Sequence, residues 1–304
     1  MLFRQQHHHL TVFAPAKVNL FLKILGKRTD GFHELESVMV SLGLYDTLEF
    51  CDDPTGKLTL QCRDTAGGLA NAPTPRTPLV LSSGPDNLVL RAAVLLREYA
   101  TVGRGAAITL AKRIPLAAGL AGGSSDAAAT LVGLNRLWGL GLSLGELHSL
   151  AAKLGSDVNF FLSPTGAAIC RGRGEQIQPV QLPRPLHLVV VKPPSGLSTA
   201  LVFRHCQPAQ VSLSAEEFLD ALQEGRHPLG DRWHNTLQAP AMELNPDIRR
   251  VARAFSRQPV LGHLMSGSGT SYFGVCAHRR QAMSVAGRLR AERLGEVFVV
   301  GSRV

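Results

Sequence analysis

The sequence has little with which to stack bases, staple loops or cross a membrane. Two tryptophans, three tyrosines and twelve phenylalanines among 304 residues leave few aromatic platforms for single-stranded nucleic acid. The five cysteines, Cys51, Cys62, Cys170, Cys206 and Cys276, are odd in number and never spaced as CxxC. They suggest neither a disulfide framework nor a zinc site and are expected as reduced thiols, mostly buried. No run approaches the roughly 20 apolar residues that span a bilayer. The opening Met1-Leu2-Phe3-Arg4-Gln5-Gln6 also lacks a secretory hydrophobic segment. A cytoplasmic protein without membrane association is expected. The run His7-His8-His9 is expected as solvated terminal residues rather than a metal site. Acidic side chains are the scarcer sign, 23 against 32 lysines and arginines, for a formal net charge of +9. The cations are spread along the chain with no aromatic-interleaved run, so an anionic small molecule fits them as well as nucleic acid does. Nucleic acid is not expected as the main ligand.

What is present is apolar material for substantial cores, 45% of the residues. Leu10 to Val18, Leu44 to Phe50 and Lys57 to Gln61 are expected as strands. Arg63 to Pro85 is crowded with Gly, Pro, Ser and Thr and is expected as a long loop or insertion. Asp86-Asn87 can cap a helix from Leu88 to about Tyr99, whose Leu88, Ala92, Leu95, Leu96 and Tyr99 share a face. A strand at Ala107 to Lys112, a glycine-rich stretch and an alanine-rich helix from Asp126 to Trp138 follow. Ser143 and Glu146 form a capping box for another helix that ends near Gly155. The proline-punctuated Pro179 to Pro185 places a domain boundary at residues 180/181, with Leu186 to Val191 as the next strand. Helical patterns at Ser214 to Gln223, Ile248 to Phe255 and Gln281 to Glu292 alternate with strands near Tyr272 to Cys276 and Glu296 to Val300. The expectation is an α/β domain over 1–180 and an α+β domain over 181–304.

The segment richest in chemistry is Pro115-Leu-Ala-Ala-Gly-Leu-Ala-Gly-Gly-Ser-Ser-Asp126. A Gly- and Ala-rich loop entering a helix lets backbone N–H groups approach an anion, and a helix start carries roughly half a positive charge. Ser124 and Ser125 add hydroxyls for phosphate or Mg²⁺. The loop is neither GxxxxGK[ST] nor GxGxxG, so a neutralising lysine must come from elsewhere. Lys17, in Ala14-Pro-Ala-Lys-Val-Asn-Leu-Phe-Leu, is one such cation, although alone it would read as a strand-edge residue snorkelling to water. Asp157, in Leu154-Gly-Ser-Asp-Val-Asn-Phe-Phe-Leu162, is the candidate base; alone it would read as a helix cap.

Together these segments resemble, in order and spacing, the three motifs of the GHMP kinases. The motifs are Lys17 in its strand, the Pro115 to Asp126 loop, and Leu264-Met-Ser-Gly-Ser-Gly-Thr-Ser-Tyr-Phe273. The stretch Gly26-Lys-Arg-Thr-Asp-Gly-Phe-His33 is similar to the branch acting on 4-diphosphocytidyl-2-C-methyl-D-erythritol. The resemblance implies a two-domain GHMP kinase fold with the active site in the inter-domain cleft, and phosphorylation of that substrate's 2-hydroxyl by ATP with Mg²⁺. Asp157 would be the general base, with Lys17 beside it meeting developing charge. Pro115, Leu116, Ala117, Ala118, Gly119, Leu120, Ala121, Gly122, Gly123, Ser124 and Ser125 would wrap the ATP phosphates, with Ser125 the contact to Mg²⁺. His33 would hydrogen-bond the cytosine edge, and Phe32 and Phe203 would sandwich the ring. Asn19 would bond the methylerythritol end, and Gly267, Ser268 and Gly269 would form the turn closing the site. No protein partner is implied.

The chain departs from the pattern in places. Phe32 stands where the family usually has Tyr, Asn159 replaces a usual Pro, and Ala117, Ala118 and Ala121 stand where Met or Gly is common. If position 121 needs a positive φ, its methyl costs of order 1 kcal/mol. A kinase for mevalonate, homoserine or a sugar, or an idle nucleotide-binding relative, is the alternative. The Gly26 to His33 stretch speaks against the first, and retention of Lys17 and Asp157 against the second.

Overall fold

The structure, a computed structural model, describes residues 1–6, 9–64, 82–208, 211–224 and 233–303. His7, His8 and residues 65–81 of the expected loop lie outside the described residues. Packing divides the chain into two compact units that are not contiguous in sequence.

The first unit is drawn from Met1–Ala16, Leu44–Leu116 and Ala121–Leu162. Its strands are β1 (Leu2–Gln6), the opening of β2 (His9–Lys27), the close of β3 (His33–Asp53), β4 (Leu58–Asp64) and β5 (Gly105–Lys112), in the spatial order β1-β2-β3-β5-β4. Ile108 of β5 pairs antiparallel with Phe50 and parallel with Leu60, which sets the register at the centre of this sheet. Helix α1 (Leu88–Ala100) starts at Asn87, whose side chain accepts from Val89 N, as the sequence leads one to expect. Helix α3 (Leu144–Leu154) opens with the Ser143–Glu146 capping box. Between them, α2 (Gly122–Leu137) begins four residues before the expected Asp126, so the glycine-rich stretch itself forms the first helical turn. Gly133 lets α2 lie close to the sheet, since a Cβ there would sit 2.8 Å from Phe50 Cε2. The short α4 (Val158–Phe161) follows.

The second unit comprises Lys17–Gly43, Ala117–Leu120 and Ser163–Val304. The first part of β3 pairs antiparallel with β6 (Ala167–Gly172), which pairs with β7 (Gln176–Val180). The chain then runs through β8 (His187–Lys192), α5 (Thr199–His205), α6 (Ala215–Gln223), α7 (Gln238–Leu244), α8 (Pro246–Ser256), β9 (Gly262–Met265), β10 (Tyr272–Cys276), α9 (Arg279–Ala291) and β11 (Glu296–Gly301). Four strands form an antiparallel sheet in the order β11-β8-β10-β9. Val189 and Val191 from this sheet, Val251 and Phe255 of α8, and Val285 and Leu289 of α9 share one core with Leu22, Ile24 and Leu35.

Strands β2 and β3 run well past the expected Leu10 to Val18 and Leu44 to Phe50. Residues 14–22 and 35–42 are buried almost without a break, so no polar alternation marks their extent. The boundary expected at 180/181 follows chain order, whereas compact packing takes Lys17–Gly43 together with the C-terminal half. Among the described residues no helix is long and apolar enough to cross a membrane.

Candidate active site

Lys17 and Asn19 are two residues apart on β2 and so share a face. Neither snorkels; Lys17 is 3% and Asn19 1% exposed. The Lys17 ammonium donates to Asn19 Oδ1 at 2.6 Å, and Asn19 Nδ2 donates to Ser37 Oγ at 2.8 Å. The middle of the glycine-rich loop, in the same unit, borders this pair. Lys17 N donates to Leu120 O at 3.1 Å, and Ser271 N to Ala118 O at 3.0 Å. Ser266 Oγ donates to Gly119 O at 2.9 Å. Gly119 has φ 72°, and a Cβ there would fall 2.1 Å from Ser266 O, so only glycine lets the two segments meet. Gly267 lies over the lysine, since a Cβ on it would be 3.3 Å from Lys17 Nζ and 3.6 Å from Asn19 Oδ1. Asn235 braces that turn by donating to Met265 O and Gly267 O, both at 2.8 Å.

The same unit holds the aromatic residues expected to grip a base. Helix α5 is capped by Ser198, buries Val202 and carries Phe203. The Phe203 ring lies 5.1 Å from His33, centroid to centroid, at an interplanar angle of 43°. Burial, then the charge of Lys27, lowers the His33 pKa, which favours the neutral imidazole able both to donate and to accept. Phe32 is 50% exposed and has another neighbour, the Arg173 guanidinium 4.5 Å above its ring. Thr199 and Ser268 hydroxyls are 2.8 Å apart, tying the start of α5 to the Gly267–Gly269 turn.

The first unit contributes Pro115, Leu116, Ala121 to Ser125 and Asp157. Ala121 caps α2 in the left-handed region at φ 54°, without a side-chain capping hydrogen bond, and the first turn has no acidic residue. Its amides therefore present positive partial charge with no carboxylate spent on them. Ala117 has φ 48°, so two of the three alanine departures sit where glycine is favoured. Beneath the helix start lies Lys112, 3% exposed, in an ion pair with Asp46 and 2.7 Å from Asp126 Oδ2. Asp46 Oδ1 also accepts from Arg113 N and Ile114 N at 2.6 and 2.9 Å. A Cβ on Gly122 would come within 3.0 Å of Lys112 Nζ, so the helix start rests directly on this cluster. Burial pushes the Asp126 carboxyl up to about 7, against the pull of Lys112 and with the push of Asp46. Burial opposes the Lys112 charge, yet the two carboxylates outweigh it and raise the Lys112 pKa. Ser125 Oγ is buried with no hydrogen-bond partner among the described residues. Asp157 precedes α4 but makes no side-chain cap, so the capping explanation does not account for its carboxylate. Asn159, where the family usually has Pro, accepts through Oδ1 from His148 Nδ1 at 3.1 Å in the imidazole tautomer that carries its proton there.

These arrangements can be set beside known proteins. The family model for the GHMP kinases N terminal domain matches residues 87–164, and that for the GHMP kinases C terminal matches residues 214–293. A 4-diphosphocytidyl-2-C-methyl-D-erythritol kinase from Pelotomaculum thermopropionicum is 41% identical over 284 residues, covering 92% of this chain and 94% of the relative. The chain belongs to that family of GHMP kinases. One from Shouchella clausii is 38% identical over 288 residues, covering 92% of this chain and 90% of its own. A crystal structure of 4-(cytidine 5'-diphospho)-2C-methyl-D-erythritol kinase superposes with a TM-score of 0.79 at 35% identity, over 97% of this chain and 99% of that one.

Family motifs point to Lys17, Asn19 and the glycine turns, but not to the residues that hold them. Ser37, Asn235, Asp46 and Lys112 were missed because each meets its partner across a long sequence separation. A buried-strand serine or asparagine has no distinguishing local signal. Arg173 was missed because a single arginine in a turn carries no pattern.

Proposed function

We propose that this chain transfers the γ-phosphoryl group of ATP to the 2-hydroxyl of 4-diphosphocytidyl-2-C-methyl-D-erythritol, in the non-mevalonate route to isoprenoid precursors. The carrying observation is the buried Lys17–Asn19 pair, bordered in one unit by Ala118–Leu120 of the loop and by Gly267. A buried ammonium between two backbone turns suits a reaction whose transition state asks mainly for positioning and charge neutralisation. The uncapped start of α2 suits the ATP phosphates. Ser125 Oγ, buried without a partner among the described residues, fits the hydroxyl expected to contact Mg²⁺. When bound, that ion would offset the charge of the phosphates. Asp157 takes the proton from the attacking hydroxyl as the new P–O bond forms and the bond to ADP breaks. His33, Phe32 and Phe203 receive the cytosine, the neutral imidazole hydrogen-bonding its edge.

Purified protein with Mg-ATP and this substrate is expected to release ADP and a phosphorylated product. Asp157→Asn should lower kcat by about 10²- to 10⁴-fold, the usual contribution of a general base. Turnover only with mevalonate, homoserine or a sugar would assign a sister activity, and no turnover with any acceptor would overturn the enzyme reading.

A further inference from the structure

Asn19 offers two unlike ends to Lys17, a carbonyl oxygen that attracts the ammonium and an NH₂ that repels it. Ser37 decides which end is presented. Ser37 is fully buried on β3, where it pairs with Cys170 of β6, and its Oγ lies 2.6 Å from the carbonyl oxygen of Phe21. That carbonyl can only accept, so the single hydroxyl proton of Ser37 is committed to it. The Ser37 oxygen is left as an acceptor, and the group 2.8 Å from it is the Asn19 Nδ2. The amide is thereby fixed with its NH₂ toward Ser37 and Oδ1 toward Lys17 Nζ at 2.6 Å. All three side chains are at most 3% exposed, so no bulk water competes for these bonds.

We propose that Ser37 is a positioning residue for phosphoryl transfer, its hydroxyl locking the Asn19 amide in the one orientation that anchors the Lys17 ammonium. The catalytic consequence rests on the function proposed above for Lys17; the orientation itself rests only on the hydrogen bonds. Without the Ser37 hydroxyl, Asn19 Nδ2 has a buried unmet donor and the amide turns or shifts to satisfy it. Lys17 then loses the acceptor 2.6 Å from its ammonium, beside the Gly267 turn.

A double-mutant cycle on the full chain tests this. Ser37→Ala is expected to lower kcat about tenfold, the scale of one hydrogen bond to a charged group, with the KM for ATP unchanged. The same change in an Asn19→Ala background should do almost nothing further, and Ser37→Thr should restore most of the rate. Equal losses in both backgrounds would mean that Ser37 acts only on general stability and would overturn the proposal. A second readout needs no turnover: trace acetylation of Lys17 by acetic anhydride, measured by peptide mass spectrometry on protein shown to be folded by its melting curve. Labelling should be several-fold faster in Ser37→Ala and in Asn19→Ala, and no faster in the double variant. Coupled labelling in a chain that phosphorylates no acceptor would leave the lock standing and remove the kinase reading. Labelling unchanged by Ser37→Ala would remove the lock whatever the activity.

Discussion

Ala121 and Ala117 hold backbone angles that glycine adopts without strain, φ 54° and 48°. A Cβ in the left-handed region costs about 1 kcal/mol or more per residue. Ala121→Gly is therefore expected to raise unfolding free energy by about 1 kcal/mol, read as a higher denaturation midpoint at unchanged slope. A midpoint that falls would show that the methyl is held by packing worth more than the strain. The condition on position 121 could be posed from the sequence, because Ala stood where a glycine was usual; the φ value itself could not. Arg173 is the opposite case. Its guanidinium sits over Phe32, on a ring expected to meet cytosine. A cation on one face of an aromatic platform holds the ring in place for a base on the other, and the pair carries about 0.5–1 kcal/mol at exposed sites. Arg173→Ala should therefore raise the KM for the cytidine substrate about two- to fivefold, with the KM for ATP unaffected. An unchanged substrate KM would detach Arg173 from the base site.

At the scale of elements, capping chemistry was the most legible signal. Asn87, Ser143 and Ser214 each begin a helix where the sequence places one, because a cap and its first-turn partner are three residues or fewer apart. Helices α5 and α7, seven residues each, are too short to display a 3.6-residue period. The early start of α2 was hidden because glycine argues against helix, and beneath it lies the Lys112–Asp46–Asp126 cluster. Two carboxylates share one buried ammonium there, which leaves one of them favouring its proton. Asp126 in the folded chain keeps a proton up to about pH 7, while in the unfolded chain it releases it near the ordinary value of about 4. The stability this group contributes is fully present below the lower value and is lost as pH rises through the upper one. Asp126→Asn is neutral at every pH, so its unfolding free energy should fall less than that of the wild type between pH 5 and 8.5, as measured by urea titration. Parallel pH profiles for the two proteins would show that Asp126 is ionised throughout.

At the scale of the molecule, sequence order and compact packing divide the chain differently, and that difference was the least legible feature. Pattern and proline content mark a break near residue 180, and nothing local reveals that Leu22, Ile24 and Leu35 belong to the core formed around β8, α8 and α9. Long-range burial of this kind leaves only an apolar run, which looks the same whichever core receives it. Each of the three side chains is at most 7% exposed, and burying such a side chain is worth about 1.5–3 kcal/mol. Together they supply roughly 5–9 kcal/mol, comparable with the whole stability of an ordinary domain. A fragment of residues 181–304 lacks all three side chains, so it exposes this core face. Expressed alone, it should lack a cooperative thermal transition and bind a hydrophobic dye such as ANS, whereas the full chain should melt cooperatively with little dye bound. Adding residues 1–180 as a separate chain should restore the transition if Lys17–Gly43 is what the core is missing. A fragment that melts cooperatively unaided would instead show that the C-terminal half closes its core without β2 and β3.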